Sequence, residues 1–199
     1  MENSTKNRIL NEALTMFAEN GYKGTNLRDL AAQLGLSKSA LYKHYQSKED
    51  IWNALLDKME AYYAQRFGST DNLPQTPTSC EELVTLTMQL IGFTVHDPQI
   101  ILTRKLLLTE QFHDERVCKL ATKHFLEGTA NIFTVLFEKM MQSGLLKQTD
   151  PAMLAFAFTS PITSLVHLCT REPDRKEEVL ERIEQFARYF IAANEVKQP

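Results

Sequence analysis

Residues 21–48 read GYKGTNLRDLAAQLGLSKSALYKHYQSK and carry the clearest signal for the fold. Apolar residues recur in this stretch at helical spacing, first from Leu27 to Leu34 and again after Ser37. Gly35 ends the first of these short helices, and the Ser37 hydroxyl can cap the second. Two short helices joined by a glycine-containing turn indicate a helix-turn-helix, a motif whose second helix lies in the major groove of DNA.

The second helix of this motif is predicted over residues 38–44. Its seven residues would span about 10 Å, which fits a major groove about 12 Å wide. Leu41 and Tyr45 lie four residues apart and are expected to face inward, which leaves the polar side chains facing out. With the two helix starts and the flanking cations, the predicted DNA-binding residues are Thr25, Arg28, Ser37, Lys38, Ser39, Tyr42, Lys43, His44 and Lys48.

These residues are expected to have different roles in DNA recognition. Arg28 is the best candidate for reading guanine, because a guanidinium can donate two hydrogen bonds to one guanine edge. Tyr42, His44 and Lys48 are expected to position the phosphate backbone. Two alternatives stay open, namely a plain helical hairpin with a solvated basic face, and a His44 that belongs to the edge of the core.

The distribution of charge supports the DNA-binding interpretation. The net charge of the chain is −3, but residues 21–48 hold five Lys and Arg against one Asp, or +4. Residues 51–199 hold fifteen Lys and Arg against nineteen Asp and Glu, or −4. A short basic stretch on an acidic chain is a local electrostatic footprint for a nucleic acid.

Helical periodicity continues on both sides of this stretch, and no convincing run of alternating strand residues is found. A first helix is predicted over about 5–20, with one apolar face. Thr25 or Asn26 can cap the next helix. After a polar linker at 68–78, the later helices are predicted at about 80–96, 98–110, 114–143, 150–171 and 174–195. Together with a helix from Lys48 to Phe67, this predicts an all-α protein of about nine helices.

The N-terminal segment resembles the DNA-binding domain of TetR-family regulators. The matching residues are Ile9-Leu10, Ala13, Phe17, Gly21-Tyr22, Thr25, Leu30-Ala31, Gly35-Leu36-Ser37-Lys38, Leu41-Tyr42, His44-Tyr45 and Ser47-Lys48-Glu49. The segment departs from the family pattern at Asn26, Ser39 and Tyr45. The resemblance implies a helix-turn-helix DNA-binding domain over 1–48, joined to a helical ligand-binding and dimerisation domain over 49–199.

The C-terminal part is rich in Phe and Met, with a few polar groups among them. Such a composition suits a ligand pocket, which is mainly apolar with few convergent polar groups. The predicted ligand-binding residues are Met88, Phe93, His96, Phe125, Phe133, Phe137, Phe156 and Thr159. The alternative for most of these residues is an ordinary position in the core.

The last two predicted helices carry apolar stripes that core packing or dimerisation could use. The resemblance implies a homodimer formed by these helices, and a palindromic operator needs a two-fold protein. The predicted interface residues are Ile162, Leu165, Val166, Val179, Ile183, Phe186 and Phe190. An intramolecular core built from the same residues is the alternative.

Other classes of site are not indicated. Cys80, Cys118 and Cys169 are odd in number and widely spaced, which favours reduced thiols over disulfides or a zinc site. No metal or cofactor is expected. No secretory signal is recognised, so a cytoplasmic location is expected. Residues 151–170 lack formal charge over a membrane-spanning length, but their Ser, Thr and His content favours a buried or interface helix.

The sequence therefore predicts a DNA-binding transcriptional regulator. The expected mechanism is repression, with release from a palindromic operator when a small, largely apolar effector binds the C-terminal domain. A small-molecule sensor or carrier that does not bind DNA is the alternative. An enzyme is not expected, because the sequence has no glycine-rich phosphate loop, metal-ligand pair or nucleophile elbow.

Overall fold

The structure is a computed structural model that describes residues 2–67 and 74–196. The predicted linker at 68–78 lies in part outside the described residues. The α-helices of the protein are α1 (Glu2–Gly24), α2 (Leu27–Gln33), α3 (Lys38–Tyr42), α4 (Lys48–Phe67), α5 (Cys80–His96), α6 (Pro98–Glu110), α7 (Glu115–Thr122), α8 (Gly128–Gln142), α9 (Pro151–Arg171) and α10 (Lys176–Asn194).

The all-α prediction is confirmed. A π-helical turn, Lys123–Glu127, joins α7 to α8, so that the two form one continuous helix where 114–143 was predicted. Counted in this way, the described residues form nine α-helices, the number predicted. Their only β-type pairing is an isolated bridge between Leu146 and Glu195.

The helix starts follow from their capping residues. The Asp97 carboxylate accepts a hydrogen bond from the Ile100 N–H at the start of α6, and Asp150 accepts two at the start of α9. The last helix differs from its predicted start at Asp174. A 3-10 turn, Pro173–Arg175, comes first, and α10 begins at Lys176 with no side-chain cap.

The described chain forms two compact units. Unit 1 comprises Met1–Ala64 and Leu102–Ala121, and unit 2 comprises Gln65–Ile101 and Thr122–Pro199. Unit 1 thus includes most of α4 and α6 and nearly all of α7 in addition to the helix-turn-helix. The functional boundary after Lys48 stays a prediction.

Each unit has its own apolar interior. In unit 1, the predicted inner face of α1 is buried, as are the apolar residues of α4, Ile51, Trp52, Leu55, Leu56 and Met59. In unit 2, α5, α8, α9 and α10 enclose a core that contains a cluster of aromatic rings. Phe158 lies at the centre of that cluster, with its ring centroid 5.1 Å from those of Phe133 and Phe190.

One helix in residues 2–67 and 74–196, α9, is long and apolar enough to cross a membrane by length and composition, with 39% of its most apolar window buried. Its buried residues, among them Phe158 and Ile162, belong to the core of unit 2. Apolar core helices of this length pass the same test, so the composition of α9 does not by itself indicate a membrane segment.

Candidate DNA-binding face

The first helix of the motif, α2, is held at both ends by local hydrogen bonds. Asn26 is its N-cap, and the side-chain oxygen accepts a hydrogen bond from the Asp29 N–H at 2.9 Å. At the other end Gly35 adopts φ 66°, and the Leu36 N–H donates to the Ala31 carbonyl at 2.8 Å. This is the Schellman pattern, which turns the chain sharply towards α3.

The second helix, α3, is shorter than predicted. The hydroxyl of Ser37 caps it by accepting a hydrogen bond from the Ala40 N–H at 3.1 Å. The regular helix ends at Tyr42 rather than at residue 44, although the Tyr45 N–H still donates to the Leu41 carbonyl at 3.2 Å. Leu41 is fully buried, so this one side chain anchors a very short helix.

Six of the predicted DNA-binding residues are exposed on unit 1. We call this set the α3 face: Arg28, Ser37, Lys38, Ser39, Tyr42 and Lys43. The Lys38 ammonium lies 5.7 Å from the centroid of the Tyr42 ring, and the Ser37 and Ser39 hydroxyls are 3.0 Å apart. The surface offers cations, hydroxyls and a phenol, the groups that contact phosphates and base edges.

Thr25 does not share this surface. It is 2% exposed, and its hydroxyl donates to the carbonyls of Gly21 and Met16 at 2.9 and 3.1 Å. The side chain locks the end of α1, while Asn26 provides the cap of α2. A contact from the Thr25 hydroxyl to DNA therefore does not fit this structure. The prediction that Thr25 contacts DNA is left with its backbone N–H as the contacting group.

His44 and Lys48 are half-buried rather than exposed. The Lys48 ammonium lies 4.4 Å from the centroid of the Tyr22 ring. Burial lowers the pKa of Lys48, and the charge of Glu110 partly opposes that shift. In His44, Nδ1 is buried without a hydrogen-bond partner among the described residues. This placement agrees with the alternative that His44 belongs to the edge of the core.

The sequence analysis did not identify the residues of α4, α6 and the turn after α6 that form contacts around the end of α1. The Glu110 carboxylate accepts a hydrogen bond from the Tyr22 N–H at 3.1 Å. The Trp52 indole donates to the Asp114 carboxylate at 2.9 Å, and its ring lies edge-on to that of Tyr22. No local pattern indicates these pairs, because their partners are 62 and 88 residues apart in the chain.

The predicted ligand-binding residues fall into three groups in unit 2. Phe133, Phe137 and Thr159 are buried in the helical core, and the Thr159 hydroxyl donates to the Ala155 carbonyl of its own helix. His96 and Phe156 are exposed, so Phe156 does not reach the interior as expected. The half-buried residues of the set are Met88, Phe93 and Phe125.

Met88 lines an open cavity of about 350 Å³ between α5 and α10, whose other lining residues are Val84, Thr85, Gln89, Glu184 and Arg188. Phe125 packs edge-on against the His167 ring at 4.6 Å. No group of three or more His, Cys, Asp or Glu side chains in the described chain is placed to hold a metal ion.

The predicted dimer interface is in large part interior to the protomer, which corrects the prediction. Ile162, Val166, Val179 and Ile183 are at most 6% exposed and belong to the core of unit 2. The partly buried members of the set, Leu165, Phe186 and Phe190, pack against that same core. The apolar stripes of α9 and α10 are thus used within the chain, as the alternative interpretation held.

The opposite side of α9 is exposed instead. We call it the outer face of α9: Met153, Phe156, Ala157, Pro161 and Ser164. Met153 and Phe156 are 61% and 49% exposed, so two large apolar side chains lie at the surface on the same face of one helix.

Comparison with known proteins adds independent findings. Residues 9–55 match the sequence model of the bacterial regulatory proteins of the tetR family. The biofilm operon icaADBC HTH-type negative transcriptional regulator IcaR of Staphylococcus epidermidis is 36% identical over 58 residues, which are 29% of this chain and 31% of that protein. The chain therefore matches less than a third of the length of this relative.

Solved structures match along the whole chain at low identity. A transcriptional regulator from Saccharomonospora viridis, solved in complex with choline, has a TM-score of 0.73 and 18% identity, and the match covers 98% of this chain and 100% of that one. The complex of SmeT, a repressor from Stenotrophomonas maltophilia, with triclosan has a TM-score of 0.72 and 20% identity, covering 98% and 93%. These likenesses show the fold alone. Residues 9–55 are thus similar to the bacterial regulatory proteins of the tetR family, and the all-helical fold of the whole chain is that of the solved regulators.

Proposed function

We propose that this protein is a DNA-binding transcriptional regulator that acts as a homodimer on a palindromic operator. The observation that carries the proposal is the α3 face, where three cations, two hydroxyls and a phenol are exposed around one short helix. Two such helices, one from each protomer, would enter successive major grooves about 34–36 Å apart. The similarity to a negative transcriptional regulator over 58 residues favours repression.

Within the α3 face, the residues would have different tasks. Arg28 is exposed at the start of α2 and is proposed to read a guanine edge. Lys38, Tyr42 and Lys43 are proposed to hold phosphates, because exposed cations supply affinity that does not depend on sequence. The half-buried Lys48 and His44 would contribute less than the exposed residues.

The test is binding of the purified protein to labelled duplexes enriched from a random-sequence pool, followed by anisotropy. Arg28→Ala should weaken binding by roughly 1–3 kcal/mol and relax the preference at one base position. Lys38→Ala and Lys43→Ala should weaken binding to all sequences and reduce its salt dependence. Lys105→Ala, which removes an exposed cation from α6, is the matched control and should bind as the wild type does.

Unchanged affinity of a Lys38, Tyr42 and Lys43 triple alanine variant would contradict the proposed face. If the wild type enriches no duplex at all, the second function, a sensor or carrier that does not bind DNA, takes the place of the first.

For the homodimer, we propose that the outer face of α9 lies at the interface. Its apolar side chains are exposed in the protomer, and residues 151–170 carry no formal charge that would oppose a second copy. Phe156→Asp should convert the dimer to a monomer in sedimentation velocity. Phe112→Asp is the matched control, because Phe112 is 83% exposed but lies outside α9 and α10.

Regulation by a small, largely apolar molecule is the last part of the proposal. Proteins of the same fold have been solved in complex with choline and with triclosan, which supports a small-molecule ligand for this chain, and Met88, Phe93 and Phe125 are the candidate residues. A ligand can release DNA only if it prefers the conformation that does not bind DNA. Choline and triclosan are the first compounds to test for release of the enriched duplex. If operator binding is insensitive to every compound and to removal of the C-terminal helices, ligand control is wrong.

A further inference from the structure

The carboxylate of Glu110, the last residue of α6, is buried in unit 1 beside the end of α1. Only 7% of this residue is exposed. A buried carboxylate is destabilising unless it accepts hydrogen bonds or lies near a cation. Oε1 of Glu110 accepts a hydrogen bond from the backbone N–H of Tyr22 at 3.1 Å, which ties the end of α6 to the main chain that leads into α2.

The chain bends at Gly21, directly before that hydrogen bond. Gly21 has φ 72° and ψ 170°, a conformation that interrupts α1 and that other residues rarely adopt. A Cβ atom at this position would lie 2.7 Å from Oε1 of Glu110, so the carboxylate fills the space of the missing side chain. The same bend is held by a second hydrogen bond, which the Thr25 hydroxyl donates to the Gly21 carbonyl. We call Gly21-Tyr22 the α1–α2 corner.

The ring of Tyr22 extends this arrangement to Lys48. The Lys48 ammonium lies 4.4 Å from the centroid of the ring, in the geometry of a cation–π interaction. The ring contacts Trp52 at 4.9 Å between centroids, and the Trp52 indole is held by Asp114. Burial raises the pKa of the Tyr22 phenol, with smaller contributions from the nearby charges of Glu49 and Asp114.

We infer that Glu110 is a positioning residue for DNA binding. Its carboxylate fixes the α1–α2 corner, and the corner fixes both the entry of the chain into α2 and the ring on which Lys48 rests. Glu110 would not touch DNA, since it acts through the Tyr22 N–H. The inference rests on the proposed DNA binding, because the residues it positions are the exposed side chains of α2 and α3 and the flanking Lys48.

The experiment compares substitutions of similar volume in the full-length chain. Glu110→Gln keeps an oxygen that can accept from the Tyr22 N–H, whereas Glu110→Met removes the acceptor. Binding to the duplex enriched by the wild type should weaken about tenfold in Glu110→Met and no more than about threefold in Glu110→Gln, the range of one buried hydrogen bond. Glu115→Ala, which removes an exposed carboxylate from α7, is the control and should have no effect.

Hydrogen exchange of the Tyr22 amide gives a second readout that does not need DNA. The amide should exchange slowly in the wild type and in Glu110→Gln, and faster in Glu110→Met. Equal duplex affinity of Glu110→Met and wild type, or unchanged exchange of this amide, would overturn the inference.

Circular dichroism separates positioning from folding. Should Glu110→Met and Glu110→Ala both lose the helical signal that Glu110→Gln retains, Glu110 is needed for the fold itself and the inference is also overturned. A wild type that binds no duplex contradicts the proposed function, and the inference about DNA binding fails with it. Slow exchange of the Tyr22 amide in that same protein, together with faster exchange in Glu110→Met, would still confirm the hydrogen bond to Glu110, so the two failures are distinguishable.

Discussion

The α3 face of unit 1 and the outer face of α9 in unit 2 differ in the chemistry that they expose. The α3 face presents Arg28, Lys38 and Lys43 with hydroxyls and a phenol between them. The outer face of α9 presents Met153 and Phe156 in a stretch of twenty residues without a formal charge. The first suits a polyanion and the second suits another apolar protein surface.

The two faces are also held in different ways. Helix α3 has five residues and buries one large apolar side chain, so its orientation depends on the Ser37 cap and the Gly35 turn. Helix α9 has 21 residues and is held by the aromatic core of unit 2. Local hydrogen bonds therefore shape α3, whereas core packing determines which side of α9 stays exposed.

The largest effect is expected from Phe158→Ala, which tests how strongly the core of unit 2 holds α9. Phe158 is fully buried among four other phenylalanine rings, and its removal should destabilise the protein by about 3–5 kcal/mol. Denaturant unfolding gives the magnitude, and hydrogen exchange should locate the loss in unit 2. Phe112→Ala, at an 83% exposed position, is the control. Equal loss of protection in unit 1 would contradict the separation of the two units.

The next effect concerns the glycines that shape unit 1. Gly21→Ala should destabilise by roughly 1–3 kcal/mol, because the residue has a positive φ and its new Cβ would meet Glu110. Gly35→Ala shares the positive φ, but nothing lies within 4 Å of its Cβ position. It should therefore cost less, and the difference between the two free energies of unfolding measures the contact. Equal values would mean that the Glu110 side chain moves away from the new Cβ atom at the α1–α2 corner without a measurable cost in stability.

A smaller effect is expected at two equivalent helix N-caps. Ser37 caps α3 and Ser79 caps α5, each by accepting one backbone hydrogen bond at 3.1 Å. Each serine-to-alanine substitution should destabilise by about 1 kcal/mol. Only Ser37→Ala should also weaken binding to the enriched duplex, since α3 carries DNA-facing side chains and α5 does not. A similar loss of binding in Ser79→Ala would break the proposed division of labour between the units.

The smallest effect is expected at a surface ion pair of unit 2. Arg188 donates to Glu81 at 2.7 and 3.0 Å and to Glu184, and the three side chains are 44–67% exposed. Arg188→Ala should change the free energy of unfolding by less than about 1 kcal/mol, and less still at high salt. Duplex binding should be unchanged, in contrast to Lys38→Ala. Thermal melts at two salt concentrations, with anisotropy alongside, check both expectations.

Local sequence signals were sufficient for the helices and for much of the α3 face. The caps at Asp97, Asp150 and Ser37 act over three residues, so they can be recognised without knowing the fold. Apolar periodicity likewise located the inner face of α1. The ligand-binding and dimer predictions lacked such signals, because a stripe of apolar residues on α9 or α10 looks the same whether its own core or a partner covers it.

The amino-acid sequence alone accounts for the order of the helices, the turn at Gly35 and the cationic character of α3, because these depend on residues within one or two turns of each other. The folded protein was needed to show that Thr25 is buried, that Ile183 faces the core and that Glu110 contacts Tyr22. Burial and hydrogen bonding between distant residues depend on which helices pack together, and no local pattern records that.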